Sequence, residues 1–195
     1  MDEKRVQELE GEIERLKKLA YHDALTGALT RGTFQEAAGA FLEEVAVSRQ
    51  EKRSSFLIKS FSVLFIDADN FKSINDNHGH ETGDRVLKKI VEIVENKVRG
   101  SDFVGRWGGE EIVVGLLGAN EEDAYEIAEK IRADVEDTKI SAESSQVSLT
   151  VSAGVAEFKG ENEILEELVA RADKAMYAAK HERGKNNLVK YSELV

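Results

Sequence analysis

The 195-residue sequence has no cysteine, no proline, one tryptophan and two methionines. Without cysteine there is no disulfide and no thiolate chemistry, which fits a reducing compartment. No run of about 18 apolar residues occurs, and Met1 opens no signal-peptide pattern. The chain is therefore expected to be soluble and cytoplasmic, with no membrane contact of its own, and it can still be one piece of a longer, membrane-anchored protein. Basic residues are in deficit: 27 Lys and Arg against 38 Asp and Glu leave a net charge of −11. That balance argues against a nucleic-acid partner but allows a local basic pocket for phosphates. The length suits one domain plus an appendage.

The central stretch is Asp102 to Leu117, DFVGRWGGEEIVVGLL. Two strand-forming runs, Phe103 to Trp107 and Ile112 to Leu117, flank Gly108-Gly109 and read as a tight hairpin. The glycines permit positive φ and close approach of a bulky ligand, while Glu110 and Glu111 bring negative charge to the tip. The bland alternative is a plain hairpin with a solvated acidic end. A second stretch favours chemistry. Ser62 to Ile66 (SVLFI) reads as a buried strand ending in Asp67-Ala68-Asp69, and acids there are costly unless paired or bound to metal. Two acid-tipped β elements suggest that Asp67 and Glu110 or Glu111 converge on a divalent cation. Oxygen donors without cysteine favour Mg²⁺ over Zn²⁺, with Mn²⁺ as the substitute.

At the N-terminus Val6, Leu9, Ile13, Leu16 and Ala20 keep a/d spacing, which predicts a coiled-coil helix over residues 1–21 that pairs with a copy of itself. The alternative is an amphipathic helix packed on its own domain. Residues 22–195 form the catalytic-size domain. Asp23 to Arg31 reads as a turn-rich connector, with Thr33 capping a helix to about Ser48. After the Asp67 strand come a short helix (Lys72 to Asp76), a longer one (about Gly83 to Val98), the hairpin, and a helix capped by Asn120 that runs to about Asp137. Thr138 to Gln146 is a polar connector, Val147 to Phe158 a strand, Glu163 to His181 a helix stopped by Gly184, and Asn187 to Tyr191 an edge strand. The order βααββαβ predicts an α+β sheet with helices on one or both faces. His78 and His80 lack a third ligand of matching softness, so a hydrogen-bonding role for His80 is favoured over metal binding.

Asp23-Ala24-Leu25-Thr26-Gly27, Asp67-Ala68-Asp69-Asn70-Phe71-Lys72, Gly79-His80-Glu81-Thr82-Gly83-Asp84, Gly108-Gly109-Glu110-Glu111 and Ala172-Asp173-Lys174-Ala175-Met176-Tyr177-Ala178-Ala179-Lys180 stand in one order. In that order they resemble a GGDEF domain, the diguanylate cyclase family, in its GGEE variant, over about residues 21 to 190. The resemblance implies a ferredoxin-like palm, shared with nucleotide cyclases, with a central antiparallel sheet flanked by helices. It implies condensation of two GTP molecules into cyclic di-GMP with release of two pyrophosphates, across a homodimer of half-sites.

Carried over residue by residue, Asp67, Glu110 and the Ala68 carbonyl would bind Mg²⁺, with Glu111 assisting metal binding or deprotonation. Substrate contacts fall to Gly108 and Gly109, to Asn70, Phe71 and Lys72 at a helix start, to His80, and to Lys180 and Lys185 at the phosphates. Asn75 and Asp84 suit guanine, whose N1 and N2 hydrogens a carboxylate accepts; their bland role is helix capping. Asp69 supports the site or caps the next helix. Arg99 and Asp102, an Arg-x-x-Asp element ahead of Gly108, match the family's inhibitory product site, with Lys130 as a secondary contact from a neighbouring domain; a surface ion pair is the alternative.

The sequence departs from the family at Thr30, where Asn is usual, and at Ile112, where Phe is usual. It is longer around residues 49–60, and an extra residue in His181-Glu182-Arg183 leaves Arg183 and Lys185 as alternatives for phosphate. Two other readings stand beside the cyclase: a catalytically silent GTP or cyclic di-GMP binding module, and a nucleotide cyclase of another specificity, against which Asn75 and Asp84 argue.

Overall fold

The computed structural model describes residues 3–50, 60–142, 146–160 and 163–195. Phe56, Leu57 and Ile58, expected to extend a hairpin or cover an edge, lie outside the described residues. The fold is organised around β2 (Phe61–Ala68), whose residues are all buried. It pairs antiparallel with β4 (Glu111–Leu117) on one side and with β7 (Val151–Glu157) on the other. β3 (Phe103–Arg106) continues the antiparallel run beside β4. The short strands β1 (Leu29–Thr30) and β8 (Leu188–Lys190) lie parallel to their neighbours at the edges. Among the described residues the sheet order is β1-β3-β4-β2-β7-β8.

Both faces of this sheet are covered, so β2 reads as continuous apolar sequence rather than an alternation. On one face Phe61, Val63 and Phe65 meet α2 (Arg31–Gln50) and α6 (Leu165–His181). On the other, Leu64 and Ile66 meet α4 (His80–Lys97) and α5 (Glu121–Asp137). Each fully buried Phe, Leu, Ile or Val in these layers contributes about 1.5–3 kcal/mol. α3 (Phe71–His78) bridges the end of β2 to α4. This is the expected α+β palm.

Several boundaries differ from the sequence expectations. α2 begins at Arg31, and Thr30 rather than Thr33 supplies the cap, its Oγ1 accepting from Thr33 N at 3.4 Å. The expected strand from Val147 divides into β6 (Gln146–Ser148) and β7. β6 pairs with β5 (Lys139–Ser141), which lies in the expected connector, as a separate ribbon. The Asn120 cap forms a full capping box with Asp123.

α1 (Glu3–Tyr21) presents Leu9, Ile13 and Leu16 to solvent, at 42%, 51% and 52% exposure. Among the described residues no helix is long and apolar enough to cross a membrane.

α6 rests directly on β7 at Gly154. A Cβ there would lie 2.0 Å from the Ala172 carbonyl oxygen and 2.2 Å from the Met176 nitrogen. Since both obstacles are backbone, Gly154→Ala is expected to lower unfolding free energy by about 1–3 kcal/mol in urea titration.

Candidate active site

Strand parity decides which acids meet. In β2, Asp67 follows Phe61, Val63 and Phe65 and so faces α6. Glu111 is its direct partner across β4, in series with Val113 on the same face. Asp67 is only 8% exposed, and its Oδ1 accepts from Lys180 Nζ of α6 at 2.6 Å. Burial raises the Asp67 carboxyl above its ordinary 3.8, the Lys180 hydrogen bond and charge oppose this, and Glu110 and Asp69 add to the rise. Glu111 is raised from 4.5 by burial first, then by Asp67, Asp173 and Glu110. Asp173, on α6, is raised by its own burial.

The tip closes on β2 from the side: the Glu110 carbonyl accepts from Ala68 N at 3.4 Å. Asp67, Ala68, Glu110, Glu111 and Lys180 are thus gathered at one end of the sheet. Gly108 and Gly109 do not adopt the positive φ expected of them. A Cβ on Gly108 would stand 2.3 Å from Glu111 Oε2, so the glycine lets that carboxylate lie close against the turn.

The hairpin is anchored by residues whose roles sequence reasoning missed. Trp107 makes edge contacts with Phe34 and Phe65, both with centroids at 6.2 Å, and lies beneath Arg31 at 4.3 Å. Arg106 donates to the Gly109 carbonyl at 2.7 Å and, through Nη1, to both oxygens of Asp23 at 3.0 and 3.1 Å. Asp23, already conspicuous in the sequence, also accepts from Thr26 and so ties the connector after α1 to the tip. The available signal was an arginine just before the Gly-Gly pair.

A second group lies at the start of α3. Asn70 adopts φ 56° and caps α3 with no side-chain hydrogen bond, while Lys185 Nζ donates to Asn70 Oδ1 at 2.7 Å. Of the two phosphate alternatives, Lys185 reaches the α3 start, whereas Arg183 turns toward Glu193. Phe71 and Lys72 open α3. Asp69, 2% exposed, does not cap α3; it accepts from Thr150 Oγ1, Ser152 Oγ and Asn186 N at 2.7–2.9 Å.

Asn75 and Asp84 lie inside α3 and α4, so neither caps a helix. Asn75 Oδ1 is buried without a hydrogen-bond partner, and a Cβ on Gly83 would stand 1.9 Å from it. A buried acceptor left open in this way is costly unless a ligand satisfies it. Asp84, the residue after Gly83, is exposed, and His80 is exposed at the first position of α4.

Arg99 and Asp102 do not form the surface ion pair that was the alternative. Asp102 spends its oxygens on backbone amides, Arg99 N at 2.8 Å and Leu117 N at 3.0 Å. Both residues line a cleft of about 380 Å³ against Asp123, Glu126 and Ile127 of α5. Lys130, exposed one turn further along α5, is not among the lining residues.

Among the described residues no group of three or more His, Asp or Glu closes around one point as a ready-made metal site. The acidic corner still suits a hard cation in its chemistry: its donors are oxygens, and Asp67 already attracts the Lys180 ammonium.

A mixed sheet with an antiparallel core, two helical layers and acids at one end of the central strands defines an α+β palm. The family model described as "Diguanylate cyclase, GGDEF domain" matches residues 20–187, and the chain belongs to that family. It is 38% identical to diguanylate cyclase DgcM of Escherichia coli (strain K12) over 177 residues, 90% of this chain and 40% of that protein. It is 44% identical to diguanylate cyclase DosC of the same organism over 128 residues, 65% of this chain and 27% of that protein. The chain therefore spans well under half the length of these curated relatives. The crystal structure of the coiled coil and GGDEF domain of DgcB from Caulobacter crescentus in complex with c-di-GMP superposes with a TM-score of 0.84 at 25% identity, covering 95% of this chain and 93% of that one.

The raised Glu111 carboxyl predicts a pH-dependent stability effect. A carboxyl raised on folding stabilises the fold while protonated, and that contribution is lost as pH rises from 4.5 through the folded value. Glu111→Gln is expected to melt higher than the parent at pH 8, with the gap closing below pH 4.5, as followed by thermal denaturation across pH.

Proposed function

We propose that this domain is an active diguanylate cyclase that condenses two GTP into cyclic di-GMP and two pyrophosphates. The observation that carries the reading is the meeting of Asp67, Glu110 and Glu111 at one sheet end with Lys180 on Asp67. Forming the phosphodiester needs a 3′-hydroxyl made nucleophilic, an α-phosphate held in line, and charge neutralised on departing pyrophosphate. Asp67, Glu110 and the Ala68 carbonyl would hold Mg²⁺, which when bound would supply Lewis acidity for the first and last of these. Lys185 and the opening amides of α3 receive the β- and γ-phosphates. Lys180, which pairs with Asp67, adds its charge near the same phosphates. Glu111 assists deprotonation or metal binding.

Guanine is recognised by Asn75 and Asp84. The open Asn75 Oδ1 accepts a purine N–H, and the Asp84 carboxylate accepts from the N1 and N2 hydrogens. Adenine lacks those donors.

The domain works as a homodimer in which each half-site supplies one GTP. The exposed Leu9, Ile13 and Leu16 seam of α1 supports pairing with a second copy. Product returns to Arg99 and Asp102, where the guanidinium meets a phosphate or guanine edge, and Lys130 of a neighbouring domain adds a contact.

Incubation with GTP and Mg²⁺, read by mass spectrometry, is expected to give cyclic di-GMP. Binding without turnover would select a silent module, and conversion of ATP alone would overturn the guanine assignment. Added cyclic di-GMP is expected to slow turnover, and Arg99→Ala to raise the half-inhibitory concentration at least tenfold in the same assay; equal inhibition of both proteins refutes the inhibitory site.

A further inference from the structure

The segment after α6 holds an uncommon backbone. Gly184, Lys185 and Asn186 are consecutive residues at φ 89°, 65° and 47°, and only the first is a glycine. Side-chain-bearing residues in the left-handed region persist where surrounding contacts force them. Lys185 N donates to the Ala179 carbonyl at 3.2 Å and Asn186 N to Asp69 at 2.9 Å, while the contacts to the Asn186 side chain come from α5.

Arg132 and Glu136 share one face of α5 and grip Asn186 from both ends of its amide. Arg132 Nη1 donates to Asn186 Oδ1 at 2.7 Å, and Asn186 Nδ2 donates to Glu136 Oε1 at 2.8 Å. The grip is itself braced, since Arg132 Nη1 also donates to Glu136 Oε2 at 2.7 Å. Asn186 N is held by buried Asp69. With the next residue fixed at both its amide and its side chain, Lys185 is pinned in the conformation that carries its ammonium to Asn70 at the start of α3. The fork of Arg132 is well matched to this, because a guanidinium offers several fixed donors where an ammonium offers one point charge. Hydrogen bonds from Arg132 and Asn186 also hold the Glu136 carboxyl below its ordinary value.

We infer that Arg132 and Glu136 are positioning residues for the phosphate grip: by clamping Asn186 they hold Lys185 where it meets the triphosphate. This rests on the reading of Lys185 as a phosphate contact. The clamp never touches substrate, so it acts on affinity through Lys185 and leaves the carboxylate end unchanged.

The test is a double-mutant cycle on the whole chain, with affinity for a non-hydrolysable GTP analogue measured by calorimetry and KM and kcat by pyrophosphate release. Arg132→Ala is expected to weaken analogue binding and raise KM about tenfold while kcat changes less than threefold. Glu136→Ala, at an exposed position, is expected to do the same more weakly and serves where Arg132→Ala fails to fold. Arg132→Lys is expected to recover little. In a Lys185→Ala background the added loss from either change is expected to fall below twofold, because the residue being positioned is gone; a merely structural role would give the same loss in both backgrounds. If Lys185→Ala weakens binding but the α5 changes do not, or if their losses multiply with it, the clamp is overturned and the phosphate reading stands. If Lys185→Ala leaves analogue affinity unchanged, the phosphate reading of Lys185 fails and the clamp falls with it.

Discussion

Burial of like charge at the end of a central strand is the constraint on which the rest of this structure depends. Asp67 and Glu111 are direct partners across β2 and β4, and burial raises both carboxyls. Uncompensated carboxylates in such a place are strongly unfavourable. The fold answers with α6, which Gly154 admits so close to β7 that Lys180 reaches Asp67. A pair of this kind adds little net stability, since desolvation offsets the attraction. What it achieves is an acidic corner in which one carboxylate meets an ammonium directly.

Around that corner the chain invests hydrogen bonds in holding short segments whose own conformations are poor. Asp23 and Arg106 fix the carbonyl of Gly109 at the hairpin tip. Asp69 collects hydroxyl and amide donors from Thr150, Ser152 and Asn186, joining the end of β2 to β7 and to the segment after α6. Left-handed residues at Asn70, Lys185 and Asn186 meet where these networks touch. Backbone strain concentrated at one end of a sheet is the usual mark of a site whose geometry is set in advance of binding.

Much of this was legible in the residues. Acids after an apolar run, a Gly-Gly pair between strand-forming segments, and the order of helices and strands gave the α+β sheet and its acidic residues, while the palm and most of the other candidate residues came with the family resemblance. What misled was local chemistry with more than one solution. Gly108 and Gly109 suggested left-handed turns, yet neither has a positive φ, and the Glu111 carboxylate lies close over Gly108. Asp69 was open between supporting the site and capping α3, and its carboxylate is taken by β7 and Asn186. For Arg99 and Asp102 a surface ion pair stood as the alternative to a product site, yet Asp102 binds backbone amides at both sides of the corner.

The sequence by itself determined the inventory: which acids, lysines and amides exist, which lie at the ends of strands, and that oxygen donors rather than thiolates would have to do any metal chemistry. It could not decide where Asp67 faces, because a strand buried on both sides carries no alternation to show its parity. Only the pairing of β2 with β4 and the seating of α6 put Asp67 opposite Glu111 and under Lys180. Nor could it reveal that Arg132 and Glu136 of α5 grip Asn186. Contacts between residues far apart in the chain depend on how helices pack across a sheet, and local spacing contains no record of that packing.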